Sequence, residues 1–208
     1  MYVSKIFRGL MAGVLYASFI IFTNTSCTRA PIAQSELVPA KEVFYQSLES
    51  LQGKMMQGQT IYPEGKYVPF VGQEIAMAVS SCTKNEMRIP IYIGGKIYRT
   101  LILERTPAGF LLKHENKKED GRSNEINLYG GHTQDNGTAF MQFFPADTYT
   151  KNLMSLTSPS VWTLAFSSDR STFSYLVESD GKLQMQIDFN LNDYLATTTG
   201  KGEQRSRR

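Results

Sequence analysis

The sequence predicts an all-β chain folded as a single antiparallel up-and-down barrel, with one amphipathic helix at its start. Three observations carry that prediction. From Gly53 to Phe189 apolar residues recur with period two in about nine or ten runs, the mark of strands with one face in a core. Turn-forming pairs separate the runs by short links, which makes consecutive strands antiparallel neighbours. One helical period stands ahead of the first strand, and closure of the meander would remove its exposed edges.

The elements follow in chain order. Lys5 and Arg8 precede an apolar run from Leu10 to Phe22, and the small polar Thr23, Asn24, Thr25 and Ser26 lead into Cys27. A basic start, an apolar stretch too short to span a bilayer comfortably and a small-residue end are the layout of a bacterial export signal, assigned to residues 1–26. Cleavage before Cys27 leaves a cysteine open to lipidation, each buried methylene adding about 0.8 kcal/mol of membrane affinity. Asn24 stands where leucine is usual in such a site, so cleavage after Ala30 or Ala33, releasing a soluble periplasmic or secreted protein, is the alternative. Residues 27–39 are polar and contain Pro31 and Pro39, as suits a lipoprotein tether between membrane and domain.

Val43, Phe44, Ser47, Leu48 and Leu51 recur at three- and four-residue spacing and predict a helix over residues 39–52. Strands follow at Ile75, Met77 and Val79; at Met87, Ile89, Ile91 and Ile93; and at Ile97, Arg99, Leu101 and Leu103. The series continues through Phe110, Leu112 and His114, then Phe140, Gln142 and Phe144, then Trp162, Leu164 and Phe166. Phe173, Tyr175 and Val177 precede the closing run Leu183, Met185, Ile187 and Phe189. Gly94-Gly95, Pro107-Ala108-Gly109, Asp120-Gly121, Asn136-Gly137, Ser168-Asp169 and Asp180-Gly181 mark the turns. Residues 145–160 are the least strand-like interior piece and read as a short helix or a crossover. The barrel domain is expected over residues 40–195, with residues 196–208 a disordered basic tail.

Charge narrows the partners. Of the formal +3, Lys5 and Arg8 supply two and the segment 201–208 a net three, which leaves residues 27–200 at about −2. A body of that charge has no basic face for phosphates, so nucleic acid is not an expected partner. Cys27 and Cys82 are the two cysteines. With Cys27 acylated the domain has no internal disulfide and rests on its hydrophobic core, in which Cys82 is expected as a small buried hydrophobe; a Cys27–Cys82 disulfide is the alternative if cleavage falls elsewhere.

The densest polar chemistry is Lys113-His114-Glu115-Asn116-Lys117-Lys118-Glu119-Asp120-Gly121, followed by Tyr129-Gly130-Gly131-His132. His114, Glu119, Asp120 and His132 offer nitrogen and oxygen donors, but their spacing matches no ligand signature, and neither a metal nor another cofactor is expected. His114 beside Asp120 would make an oriented imidazole for acid–base work, yet no serine or cysteine elbow accompanies it. A structural reading competes: Asp120 caps a turn, Gly121 takes a positive φ, and His114 bonds across its hairpin to hold register. Tyr129-Gly130-Gly131 reads as a strand that bends where the barrel closes.

These stretches, with Ile89-Pro90, Arg99-Thr100, Phe143-Phe144-Pro145-Ala146-Asp147 and Val161-Trp162, resemble an uncharacterised family of exported bacterial proteins. The resemblance covers about residues 51–189 and implies a calycin-like (lipocalin-like) barrel, without lending an activity. Two departures stand out: Asn116 where a second histidine is common, and Met55 where the lipocalin opening Gly-x-Trp would place an aromatic.

Taken together, the expected protein is a cell-envelope lipoprotein whose barrel binds a small amphipathic or hydrophobic ligand in its mouth. His114, Tyr129, Trp162, Arg99 and Asp120 are the candidate site, and Tyr92, Tyr98 and Tyr175 are further orienting groups. Met55, Met56, Met77, Met87, Met141 and Met185 supply adaptable apolar volume. The alternative is an interaction module with a filled barrel and a protein partner in the envelope.

Overall fold

Alternation becomes architecture in the computed structural model, which describes residues 39–62, 70 and 72–196. The export signal, Cys27, residues 27–38 of the tether and the tail from residue 197 lie outside the described residues. A helix, α1 (Ala40–Glu49), precedes β1 (Lys54–Tyr62), β2 (Ile75–Ala78), the short β3 (Ser81–Cys82), β4 (Glu86–Ile93), β5 (Lys96–Thr106), β6 (Gly109–Glu115) and β7 (Tyr129–His132). Then come β8 (Met141–Pro145), α2 (Thr148–Leu153), β9 (Ser160–Phe166), β10 (Thr172–Ser179) and β11 (Lys182–Ala196).

The strands form one antiparallel sheet in the order β7-β6-β5-β4-β2-β1-β11-β10-β9-β8, with β3 added beside β4. That is the up-and-down order the short turns predict, nearly closed into a barrel. The first and last strands are neighbours: Lys54 stands opposite Ala196 and Gln59 opposite Asp188.

Every second residue points inward. Met87, Ile89 and Ile91 on β4, Leu101 and Leu103 on β5, and Phe110 and Leu112 on β6 are buried, as are Leu164, Phe173 and Phe189 across the barrel. Burial of each such side chain is worth roughly 1.5–3 kcal/mol. Met56, Met77 and Met87 join this core fully buried, while Met55 and Met141 are only half-buried. Gly58 makes room on β1, since a Cβ there would sit 2.7 Å from the Phe189 ring.

The helix closes one end of the barrel, rotated from the predicted face. Phe44, Tyr45 and Leu48 are its buried residues, so Tyr45 takes the place expected of Val43. Tyr45 stacks on Phe110 with centroids 5.6 Å apart, and Phe44 meets Phe166 edge-on at 5.5 Å. Arg105 fixes the helix from the sheet, pairing with Glu42 and lying 3.8 Å over the Tyr45 ring. Cys82 sits at the same end, half-buried, its Sγ 3.6 Å from the Tyr45 hydroxyl.

β7 and β8, the two ends of the sheet path, meet along a seam that Gly131 permits, while a Cβ on the neighbouring Gly130 would strike the Leu112 carbonyl of β6. A Cβ on Gly131 would fall 1.8 Å from the Pro145 carbonyl oxygen. The Asp147 N–H donates to the Gly130 carbonyl at 2.9 Å, and the Gln134 N–H to the Phe143 carbonyl at 3.3 Å. Thr150 of α2 completes the seam: its buried hydroxyl donates to the Gly130 carbonyl at 2.8 Å and accepts from the Gly130 N–H at 2.7 Å. Asp147 caps α2 by accepting from the Thr150 N–H at 2.7 Å and pairs with Lys113 of β6 at 2.7 Å. The segment expected to be a short helix or crossover is thus the clasp of the barrel.

Gly131→Ala therefore separates β7 from β8 and is expected to destabilise the fold by more than about 3 kcal/mol, the range of severe overpacking. Gly121→Ala, at φ +84 with open space around it, is expected to cost about 1–2 kcal/mol from backbone strain alone. Denaturant unfolding of the two variants measures the difference.

Candidate functional site

Opposite α1, the barrel ends in a polar layer set among aromatic rings. Alternation on β6 turns His114 inward, where it is fully buried. Its Nδ1 lies 3.0 Å from the Tyr129 carbonyl oxygen and its Nε2 2.9 Å from the Tyr175 hydroxyl. A carbonyl only accepts, so Nδ1 carries the proton and Nε2 accepts from the Tyr175 O–H. The imidazole stacks on the Tyr129 ring at 4.6 Å, with Trp162 at 5.0 Å.

Arg99 enters from β5. Its Nη1 donates to the Tyr129 hydroxyl at 2.8 Å and, at a longer 3.5 Å, to the Tyr175 hydroxyl. Its Nη2 donates to the Tyr98 hydroxyl at 2.6 Å, and the guanidinium carbon lies 4.4 Å over the Tyr98 ring. The Nε is buried without a hydrogen-bond partner. Among the described residues no carboxylate pairs with Arg99.

These neighbours set the protonation states. Burial, and then the positive charge of Arg99, push the His114 pKa down to about 3, so the ring is neutral at any ordinary pH. Burial raises the Tyr175 and Tyr129 hydroxyls above the usual phenol range. A neutral imidazole with both nitrogens engaged and no exposure is a structural element of the floor, holding β6 in register with β7.

Above that floor lies a recess of about 300 Å³. Phe70, Met154, Leu156, Trp162, Val177 and Met185 give it apolar walls, and Arg99, Tyr98, Tyr129, Ser160 and Gln184 supply its polar groups. The barrel is therefore filled through its middle and concave at one end. A larger groove of about 1020 Å³ runs outside, over the opposite face of β4, β5 and β6, with Phe70 and Tyr98 belonging to both. Its charges are largely spent on one another: Arg88 and Lys117 pair with Glu115, and Lys96 with Glu119 at 2.6 Å. The smaller recess is the candidate site, because there a cation lacks an anion.

Of the residues the sequence nominates, Arg99, His114, Tyr129 and Trp162 come together at this end of the barrel, joined by Tyr98 and Tyr175. Asp120 does not join them: it sits on an exposed turn, where it accepts from the Arg122 N–H at 3.0 Å and pairs with its guanidinium. An imidazole oriented by Asp120 is thereby overturned, because alternation buries one residue while the turn exposes the other. Tyr92 faces the outer groove, with an irregularity between Ile91 and Tyr92 in the pairing of β4 with β5. Among the described residues no group of three or more His, Cys, Asp or Glu side chains converges as a metal site would require. Phe70, Met154, Leu156 and Gln184 were not nominated. Met154 and Leu156 follow α2, where no period-two signal marks an inward face.

The buried imidazole makes stability depend on pH. Unfolded, His114 takes a proton near its ordinary 6.5; folded, it resists down to about 3. The unfolded chain binds more protons in that window, so stability is full above it and falls as pH drops, by up to about 1.4 kcal/mol per unit. Between pH 7 and 5, above the titration of Glu42 and Asp147, the expected loss is about 2 kcal/mol. His114→Gln is expected to be less stable at pH 7 and to lack that slope, as read from urea unfolding at the two pH values.

Comparison with family models, with curated proteins and with solved structures found no match to this chain, so the reading of the site rests on its own geometry.

Proposed function

We propose that this chain is a bacterial cell-envelope lipoprotein, anchored through acyl chains on Cys27, whose barrel takes a small amphipathic or hydrophobic ligand into the recess at its open end. The observation that carries this reading is the union, in one concavity, of an apolar wall and a few convergent polar groups. Such a pairing is what small-molecule sites are made of, and about 300 Å³ falls at the lower end of their size range. The address comes from the residues before the domain, where Lys5, Arg8, the apolar run and Cys27 follow one another in the order of an export signal.

A second reading, an interaction module that binds no small molecule, draws support from the filled middle of the barrel. One experiment separates the two. Trp162 is the one tryptophan of the chain and forms part of the recess wall, so its emission reports occupancy directly. Titration with single-chain fatty acids of increasing length, a lysophospholipid and an aromatic dye is expected to shift that emission saturably for at least one member. No shift by any member, with no change in melting temperature, defeats the carrier reading and leaves the module.

The anchor has its own test. Growth with labelled palmitate is expected to label the wild-type chain and leave Cys27→Ala unlabelled; an unlabelled wild type defeats the anchor.

A further inference from the structure

We infer that the ligand of this recess carries a compact oxyanion head, a carboxylate or a phosphate monoester, with Arg99 as its counter-ion. The inference rests on the recess reading above and adds the chemistry of the head group.

Arginine has five N–H donors, and a half-buried guanidinium is ordinarily stabilised by a carboxylate in bidentate contact. Here its acceptors are the hydroxyls of Tyr98, Tyr129 and Tyr175, which are uncharged, and Nε has no acceptor. Other arginines of the barrel are satisfied differently: Arg88 pairs with Glu86 and Glu115, Arg105 with Glu42, and Arg122 with Asp120. Arg170, away from the recess, likewise has no carboxylate but bonds to the Ser47 hydroxyl and lies over the Phe140 and Phe166 rings; Arg99 is the arginine that lines the recess.

No neighbour below it offsets that charge. His114 is neutral and Tyr175 is an un-ionised phenol, so the floor presents a net positive charge toward the mouth. The opposite wall, from Trp162 through Val177 to Met185, is apolar. A ligand matched to this site has an acidic head and a short apolar body. Tyr98, 40% exposed and bonded to Nη2, stands where an incoming oxyanion would replace its hydroxyl as the acceptor.

A series of ligands with one tail and different heads tests this on the intact chain: octanoate, octyl phosphate, octanol and octylamine, each titrated against Trp162 emission at pH 7.5. Octanoate or octyl phosphate is expected to bind at least about tenfold more tightly than octanol, the scale of one charge-assisted hydrogen bond, and octylamine more weakly still. Which of the two anions binds more tightly identifies the head. Arg99→Gln is expected to abolish the advantage of the anion over octanol, and Arg99→Lys to recover part of it. The wild-type series decides the matter even if Arg99→Gln fails to fold. Equal binding of octanol and both anions, or tighter binding of octylamine, overturns the oxyanion head while the apolar recess stands; no binding by any of the four overturns the recess reading itself.

Discussion

The structure depends on two stretches of backbone being allowed to touch. Ten strands of a meander become a barrel only if the ends of the path meet, and β7 and β8 meet where Gly131 carries no side chain. With any Cβ at Gly131 the Pro145 carbonyl would have to retreat, and with it the Asp147 amide that bonds to Gly130. The seam also positions α2, because Thr150 binds both polar groups of the Gly130 backbone and Asp147 caps the helix from the other side. Met154 and Leu156, the residues after α2, form part of the recess wall. Closure of the fold and completion of the site are thus one event.

Inside, chemistry is layered along the barrel axis. At one end α1 brings Phe44, Tyr45 and Leu48 over the strands; the middle is aliphatic and aromatic; at the other end sits the polar layer of Arg99, His114 and the tyrosines. Buried polar groups are tolerated there because they form a directed chain. Arg99 donates toward Tyr175, Tyr175 donates to His114, and His114 donates to the Tyr129 carbonyl. Each link fixes the role of the next, which is why a neutral histidine and a charged arginine can share one floor.

Much of this was legible in the sequence, for a physical reason. Period two is a direct consequence of pleating, so most inward positions of β4 through β6 and β9 through β11 could be read from the alternation, as could Tyr129-Gly130-Gly131 as a place of bending and closure; Ile97, beyond the irregularity in the β4–β5 pairing, is exposed instead. The turn Asp120-Gly121 was readable because its chemistry is local. What escaped depended on distance along the chain. That His114 meets Tyr175 is a matter of which strands face each other across the barrel, and no local pattern records it. Asp120 looked like a partner of His114 because six residues separate them, while a strand and a turn carry them to opposite environments. The face of α1 is displaced by a fraction of a turn because Tyr45 is amphipathic: its ring is buried in the core while its hydroxyl bonds to the Thr83 carbonyl.

The adjacency of β1 and β11 has a consequence for how the chain acquires its shape. Neighbouring strands elsewhere in the ring are near one another in sequence, so their ladders can form as the chain emerges. The β1–β11 ladder joins Lys54 to Ala196, almost the whole domain apart, and it comes at the cost of closing the largest loop the fold contains. During synthesis β1 is among the first strands made, and one of its edges must wait for the last. In that interval it is an open template for pairing with other chains, a hazard that polar residues on its exposed face, Gln57 and Gln59, help to contain.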